Sequence, residues 1–315
     1  MAYKFTSGSV TSLSSLFDAL DSFLLGTLGW TLAHSGTDMG RPFKIYHSTG
    51  ESGSEDIYIG VYQHKYNDLQ CSLEFNGYTG VNTSTNSFTN QPGSICCSPQ
   101  CHCCYIYCLP TMPSVDDGTL ISYWFFGDLD YFFIVTKLGG RYANAYCGLI
   151  HRHFSNDPYP CLVIGSWRQG YFDVDCTCCN WCYCLNPIPW RRCTVWCAYY
   201  TVYGAYQRNT GNSGWWCYGS ALVYRNPIYK CCTYGVMLAH HYYNLYSSRS
   251  HGFVLSPIYV DYWNTGPRGE LKYVYWTEPS TLPSESVVYV GGDPYIVFNH
   301  RINDYTLKIA VRYYE

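Results

Sequence analysis

After Trp30, short apolar segments separated by turn residues follow one another along most of this 315-residue chain, and those at residues 43–47, 56–62 and 71–75 alternate between apolar and polar residues. Clusters of Gly, Ser and Asn separate the segments, and alternation with such boundaries is typical of half-buried β-strands. The predicted strands are residues 43–47, 56–62, 71–75, 121–126, 131–137, 141–149, 287–290 and 295–298. The last two flank Gly291-Gly292 and predict a hairpin. The pattern therefore predicts a mainly β fold with an antiparallel meander or sandwich-like body.

The N-terminal segment has the spacing of an amphipathic helix. Apolar residues recur three and four positions apart, at Leu13, Leu16, Phe17, Leu20, Phe23 and Leu24. Thr11 or Ser12 can cap its start and Gly26 can end it, which predicts a helix over residues 12–25. Its apolar side can pack in the chain's own core or dock on a neighbouring subunit through Leu16, Phe17 and Leu20. We expect residues 1–30 to form this helix and docking segment, and residues 31–315 to form one β-rich body that can contain two subdomains.

The composition is unusually aromatic and weakly charged. The chain has 35 Tyr and 10 Trp, whereas Asp, Glu, Lys and Arg together make up only 13% of it. Tyr and Trp provide large contact areas at low entropy cost, so this composition favours a protein that works through interfaces. The net charge of −3 and the lack of a Lys or Arg cluster argue against direct nucleic-acid binding. The interface candidates in the aromatic runs are Trp215, Trp216, Tyr242 and Tyr243.

The sequence contains no recognisable export signal or membrane anchor. Residues 1–8 lack the basic and apolar regions of a signal peptide. Residues 75–115 carry no Asp, Glu, Lys or Arg, but their Asn, Ser, Thr, Gln and Pro residues exclude a membrane span. We therefore expect a chain without a membrane span that folds in a cytoplasm.

The chain contains 19 cysteines, most of them in two clusters and one further pair. Disulfides are one interpretation, because adjacent cysteines point to different partners and a chain that folds with reduced thiols inside a cell can meet oxygen later. Structural zinc is a second, because closely spaced cysteine pairs can each supply half of a four-ligand site. The third interpretation is reduced thiols that pack as small apolar side chains. Disulfides and reduced thiols need no cofactor, whereas the second interpretation needs zinc. The candidates are Cys96, Cys97, Cys101, Cys103, Cys104, Cys108, Cys176, Cys178, Cys179, Cys182, Cys184, Cys193, Cys197, Cys231 and Cys232.

Familiar catalytic motifs are missing from the sequence. It has no Gly-x-Ser-x-Gly elbow, no His-Glu-x-x-His helix, no phosphate-binding loop and no dinucleotide fingerprint. Two aspartate pairs, Asp128 with Asp130 and Asp173 with Asp175, have the spacing of paired carboxylates, although turns and strand edges use Asp in the same way. His151 and His153 would likewise share one strand face as a surface or interface pair. We expect no enzymatic activity.

Several segments follow one another in a recognisable order and spacing. They are YHSTGESGSEDIYI (46–59), QPGS (91–94), YWFFGD (123–128), RYANAYCGL (141–149), YPCLVIGS (159–166), GEL (269–271) and the hairpin at Gly291-Gly292. Together they resemble an uncharacterised structural-protein family in virions of tailed double-stranded DNA bacteriophages. The resemblance covers most of the chain, whereas the cysteine clusters depart from the family's pattern.

The resemblance implies a non-enzymatic component of the tail, neck or baseplate, located in a virion that assembles in the host cytoplasm. Its partners would be other virion proteins and copies of itself, and its cysteine-rich loops would form stabilising disulfides on the first of the three interpretations. The alternative is a carbohydrate- or receptor-binding module of the virion. An enzyme that cleaves cell-wall polysaccharide through Asp173 and Asp175 is the least favoured hypothesis.

Overall fold

The computed structural model describes residues 3–38, 40–65, 70–78, 80–82, 87–89, 111–115, 117–155, 161–165, 197–200, 221–223, 255–262, 266–277, 282–302 and 305–314. This part of the chain is mainly β, and every strand predicted from the alternation overlaps an observed one. The strands are β1 Lys4–Val10, β2 Thr31–Asp38, β3 Arg41–Ser48, β4 Ile57–Lys65, β5 Gln70–Tyr78, β6 Gly80–Asn82, β7 Ser87–Thr89, β8 Thr111–Val115, β9 Ile121–Gly127, β10 Tyr131–Leu138, β11 Arg141–Leu149, β12 His151–Arg152, β13 Cys161–Gly165, β14 Cys197–Tyr200, β15 Ala221–Val223, β16 Leu255–Tyr262, β17 Gly266–Thr277, β18 Val287–Val290, β19 Asp293–Ile302 and β20 Tyr305–Arg312.

Three antiparallel sheets contain nearly all of these strands. The central sheet has the order β1-β9-β10-β11-β13-β14. The helix-side sheet has the order β2-β3-β4-β5-β8, and the far sheet has the order β15-β16-β17-β20-β19-β18, with β12 paired to β17. Strands β6 and β7 form a separate hairpin. Consecutive strands are often neighbours, which is the meander that the turn spacing predicts.

The central sheet is covered on both faces. Phe132 and Ile134 of β10 point into the core shared with the helix-side sheet, which we call the helix-side core. Phe133 and Val135 point the other way, into the core shared with the far sheet, which we call the far core. Because side chains alternate along a strand, β10 needs apolar residues at nearly every position to fill both cores. The described chain therefore has three layers around two cores.

The N-terminal helix α1, Leu13–Asp21, packs inside the helix-side core. Ser12 caps it, because its Oγ accepts a hydrogen bond from the amide of Ser15 at 3.1 Å, as the sequence predicts. The predicted end near Gly26 is wrong: the chain continues as a π-helical segment, Ser22–Leu28, and turns at Gly29 with a φ of 78°. Gly29 can adopt this left-handed conformation because it has no Cβ.

The end of α1 is bound to the helix-side sheet through Asp21. Its Oδ1 accepts a hydrogen bond from the Tyr46 hydroxyl at 2.9 Å and lies 2.9 Å from Nζ of Lys44. The ammonium of Lys44 also lies over the ring of Phe17, at 5.3 Å from its centroid. With β1 at the edge of the central sheet, residues 3–30 are part of the same layers as the rest of the described chain.

Candidate functional site

Two aspartates are buried at the place where all three sheets meet. Asp128 and Asp130 lie in the turn between β9 and β10, and their exposed fractions are 5% and 7%. The loop between β3 and β4 reaches this turn from the helix-side sheet, and β17 reaches it from the far sheet. We call the contacts of this turn with Ser48, Glu51 and Lys272 the three-sheet junction.

Asp128 organises the turn itself. Its Oδ1 accepts hydrogen bonds from the amide of Asp130 at 2.7 Å and from the amide of Tyr131 at 3.2 Å. Its main-chain oxygen accepts another from Nε1 of Trp30 at 2.9 Å. Burial raises the pKa of the Asp128 carboxyl to about 6, although the Asp130 amide and the charge of Lys272 act in the opposite direction. Asp128 thus joins the turn to Trp30, just after the π-helical segment.

Asp130 joins the turn to both outer sheets. Its Oδ1 accepts a hydrogen bond from the amide of Glu51 at 2.7 Å, and its Oδ2 forms an ion pair with Nζ of Lys272. Between the two aspartates, the main-chain oxygen of Leu129 accepts a hydrogen bond from Oγ of Ser48 at 2.6 Å. Each layer therefore contributes at least one group to the junction.

A bulge in β17 accompanies the contact between Lys272 and Asp130. Tyr259 of β16 pairs with Glu270, and Pro257 pairs with Tyr275, so residues 271–274 face a single residue of β16. Tyr273, inside the bulge, has a φ of 57°, which lies in the left-handed region. Bulges bend a strand and redirect its side chains. Sequence analysis missed Lys272, because nothing in an alternating pattern indicates where a bulge will form.

Two glycines allow close approach of the main chain near the junction. A Cβ on Gly148 of β11 would lie 2.4 Å from the main-chain oxygen of Asp130. That oxygen accepts a hydrogen bond from the amide of Leu149 at 2.8 Å, which fixes β11 against the turn. A Cβ on Gly269 of β17 would lie 2.3 Å from the main-chain oxygen of His151. These distances are too short for any side chain, so both positions require glycine.

Replacing Gly148 with Ala is expected to lower the free energy of unfolding by about 3 kcal/mol. The reason is twofold: Gly148 has a φ of 134°, and the new Cβ would meet main-chain atoms that cannot move without disturbing the turn. Urea denaturation measures the change. Gly26→Ala is the control, because its Cβ would meet nothing within 4 Å. Equal stability of the two variants would contradict the prediction.

Two further ion pairs surround the junction. Arg152 of β12 lies 2.7 Å from Oε1 of Glu55 in the loop between β3 and β4, and His151 lies 3.3 Å from Oε1 of Glu270 in β17. Strand β12 ends at Arg152, so His153 does not continue the strand beside His151 as the sequence analysis expected. These contacts add a second set of connections between the same loop, the chain after β11 and the far sheet.

The chemistry of the junction is that of a structural connection. Asp128 and Asp130 accept hydrogen bonds from main-chain amides, and Asp130 also pairs with an ammonium group. Two carboxyl groups of a glycosidase would instead face the bond of a bound sugar. Among the described residues, no group of three or more His, Cys, Asp or Glu residues is arranged to hold a metal ion.

The raised pKa of Asp128 predicts a specific pH dependence of stability. Its ordinary value is 3.8 and its folded value is about 6, so the folded state binds more protons than the unfolded state between those values. Stability from this group is therefore present in acid and decreases as the pH rises, by at most about 3 kcal/mol between pH 4 and 6. In Asp128→Asn this decrease should disappear.

The measurement is the difference in unfolding free energy between Asp128→Asn and the unsubstituted chain, followed from pH 4 to pH 7. Asp18→Asn, on the exposed side of α1, controls for the loss of one negative charge. A difference for Asp128→Asn that does not change with pH would contradict the prediction.

The structure places few of the predicted site residues at this junction. Leu16, Phe17 and Leu20 are buried in the helix-side core, with at most 3% of each exposed, which leaves them no free surface for a subunit contact. Cys197 begins β14 in the central sheet. The other predicted cysteines, the four aromatic interface candidates, Asp173 and Asp175 lie outside the described residues.

Three cysteines outside the two clusters show which chemistry the cores favour. Cys71, Cys147 and Cys161 are buried in the helix-side core, and none of them forms a disulfide. Burial raises the pKa of the Cys147 thiol well above its ordinary value, and the neighbouring Cys161 adds to this effect. For these three residues the structure agrees with small apolar side chains that keep reduced thiols.

We expect these three thiols to resist alkylation while the chain is folded, because a buried, protonated thiol is a poor nucleophile. Iodoacetamide followed by peptide mass spectrometry measures the labelling. Treatment in urea should label all three and serves as the control for their intrinsic reactivity. Rapid labelling of Cys147 in the folded chain would show that the helix-side core opens easily.

Within the described part of the chain, no helix is both long and apolar enough to cross a membrane. Comparison with protein-family models and with curated proteins gave no match to the chain.

Proposed function

We propose that this chain is a non-enzymatic structural component of a tailed-bacteriophage virion, located in the tail, neck or baseplate. It acts through contacts with other virion proteins and with copies of itself. The proposal begins from the resemblance of the segments at residues 46–59, 123–128, 141–149 and 269–271 to a family of virion proteins.

The observation that carries the proposal is that these four segments lie at or next to the three-sheet junction. Ser48 and Glu51 come from the first segment, Asp128 from the second and Gly148 from the third. The fourth contains Gly269, which packs against His151. Segments far apart in sequence thus contribute contacts that hold the three layers together.

A rigid layered body suits a part that must transmit load or hold symmetric neighbours. Both cores are rich in aromatic rings, such as Phe125, Phe132 and Phe133, and the charged groups at the junction link layers instead of facing solvent. The low charged fraction and the abundance of Tyr and Trp favour a chain that covers much of its surface with partners.

Location in the particle is the decisive test. In purified particles of the phage that encodes the chain, we expect its peptides in fixed proportion to tail or neck proteins. An electron cryomicroscopy map that resolves the chain trace should show the three layers in the tail, neck or baseplate. Presence in infected cells together with absence from purified particles would overturn the proposal.

The non-enzymatic part of the proposal has a separate test. The chain is incubated with cell-wall polysaccharide from the host, and release of reducing sugar is measured. No release is expected. Turnover that is lost in Asp175→Asn would contradict the proposal and would favour a polysaccharide-cleaving enzyme.

A carbohydrate- or receptor-binding module is the second candidate, and one surface favours it. Strand β18 is at the edge of the far sheet. Its residues Val287 and Tyr289 lie on the same face of that sheet as Ile296 of the far core, because Val287 pairs with Ile296. Their exposed fractions are 43% and 72%. The adjacent Glu285 accepts a hydrogen bond from Tyr142 and pairs with Lys137 at 2.6 Å. Exposed aromatic and charged groups side by side are typical of surfaces that bind sugars or protein receptors.

Binding of the isolated chain to a glycan array separates this candidate from the first. Tyr289→Ala should abolish any genuine binding at this surface, whereas Leu120→Ala, at another exposed apolar residue, should leave it unchanged. Binding that survives Tyr289→Ala would exclude this surface as the site.

A further inference from the structure

Two buried tyrosines lie side by side at the end of the far core. Lys4 pairs with Gly127, which places Tyr3 beside Asp128, and the amide of Asp128 donates a hydrogen bond to the main-chain oxygen of Tyr131 at 3.0 Å. Tyr131 in turn pairs with Gly148. Four neighbouring positions at the ends of these strands are therefore occupied by Tyr3, Asp128, Tyr131 and Gly148, and the glycine leaves room beside the ring of Tyr131.

Aromatic rings enclose this place. The centroids of Tyr3 and Tyr131 are 6.2 Å apart, Tyr146 stacks on Tyr131 at 4.9 Å, and Tyr273 meets Tyr3 edge-on at 5.2 Å. Tyr131 is fully buried and Tyr3 is 9% exposed. Bulk solvent therefore does not reach the two phenol hydroxyls in the folded chain.

Among the described residues, the hydroxyls of Tyr3 and Tyr131 have only each other as a hydrogen-bond partner, and the geometry of that contact falls short of a regular hydrogen bond. Burial raises the pKa of both phenols well above the ordinary value, so each keeps its proton at any working pH. Even a hydrogen bond between them would satisfy only one of the two donors. Nearby Tyr146 differs, because its hydroxyl donates to the main-chain oxygen of Leu149.

We propose that the hydroxyls of Tyr3 and Tyr131 bind one ordered water molecule at this end of the far core. Buried polar groups in native proteins are almost always paired, and internal water molecules supply the partner where protein atoms do not. The oxygen of a water molecule has two lone pairs and can accept a hydrogen bond from each phenol, which pairs both donors. It can also donate to the carboxylate of Asp128, whose charge acts on both phenols.

A metal ion fits this place less well than water does. Hard cations bind six or more oxygens and prefer carboxylates, whereas the groups that lack partners here are two neutral phenols. The charge of Asp130 is already paired with Lys272. Water satisfies both phenols without bringing a net charge into the core.

Removing the hydroxyls one at a time tests the proposal. If they bind water, Tyr3→Phe and Tyr131→Phe should each lower Tm by about 2 °C, because each variant loses a hydrogen bond. The double variant should lose less than the sum, since the same water is lost in each case. If the hydroxyls bind nothing, both variants should raise Tm, and that result would overturn the proposal.

Two matched variants calibrate the measurement. Tyr46→Phe removes a hydroxyl that donates to Asp21 and should lower Tm, whereas Tyr289→Phe removes one from an exposed ring and should change nothing. The direct readout is a water molecule within hydrogen-bond distance of both phenol oxygens in a high-resolution crystal structure. Its absence from well-defined density would contradict the proposal even if both variants lowered Tm.

The link to Asp128 has its own readout. If the water donates to the carboxylate, Tyr131→Phe should extend the pH-dependent loss of stability to higher pH, because the ionised form loses support and the folded pKa of Asp128 rises. The other charged groups that act on Asp128, namely Asp130, Glu51 and Lys272, are unchanged in this variant. An unchanged midpoint would show that the water does not reach Asp128.

Discussion

Leu20→Asp is expected to lower the free energy of unfolding by about 5 kcal/mol and to leave much of the chain unfolded or aggregated. Leu20 has no exposed surface and lies in the helix-side core together with Leu16 and Leu24. A carboxylate there would have neither water nor a counter-charge. Urea denaturation followed by circular dichroism measures the loss, and soluble yield gives a second readout.

Ser14→Asp is the matched control for Leu20→Asp. Ser14 is exposed and lies in the first turn of α1, where a negative charge interacts favourably with the helix dipole. We expect this variant to be as stable as the unsubstituted chain. Normal stability of Leu20→Asp would mean that the helix is displaced from the core at little cost.

Lys272→Met is expected to lower the free energy of unfolding by about 4 kcal/mol, because it leaves the charge of Asp130 buried without its partner. The side chains of Asp130 and Lys272 are only 10% and 22% exposed, so solvent cannot replace the lost ion pair. The double variant Asp130→Asn/Lys272→Met removes both charges and should recover much of the loss. Urea denaturation of the unsubstituted chain, Lys272→Met, Asp130→Asn and the double variant gives the coupling energy.

An exposed ion pair serves as the comparison. Lys137 and Glu285 are 35% and 36% exposed, and Lys137→Met should cost less than about 1 kcal/mol. Similar losses for Lys272→Met and Lys137→Met would show that the three-sheet junction contributes no more than a surface contact. No recovery in the double variant would show that Asp130 acts mainly through the amide of Glu51.

Local regularities in the sequence predicted the elements that depend on local rules. Alternation located β3, β4 and β5, the Gly-Asp and Gly-Gly turns located β9, β10 and β11, and the Gly-rich connection located the hairpin of β18 and β19. The capping serine located the start of α1. These features are readable because side-chain direction and capping depend on residues within a few positions of one another.

Elements without a regular pattern were not predicted. Strand β1 reads Lys-Phe-Thr-Ser-Gly-Ser-Val and has little apolar alternation, yet it pairs with β9 over its whole length. Its position at the edge of the central sheet explains this, because an edge strand needs few apolar side chains. The π-helical extension of α1 likewise depends on packing and not on helix propensity.

The sequence by itself determined the β class, the positions of eight of the twenty described strands and the capped start of the N-terminal helix, since each follows from spacing along the chain. Only the tertiary structure decided that β10 is buried on both faces, that the bulge in β17 accompanies the contact of Lys272 with Asp130, and that Asp128 is buried enough to shift its pKa to about 6. The last two properties depend on contacts between distant segments. Asp130 is 142 positions from Lys272 and 79 positions from Glu51 in the sequence. Contacts between distant segments depend on how sheets stack, and alternation within a strand carries no information about stacking.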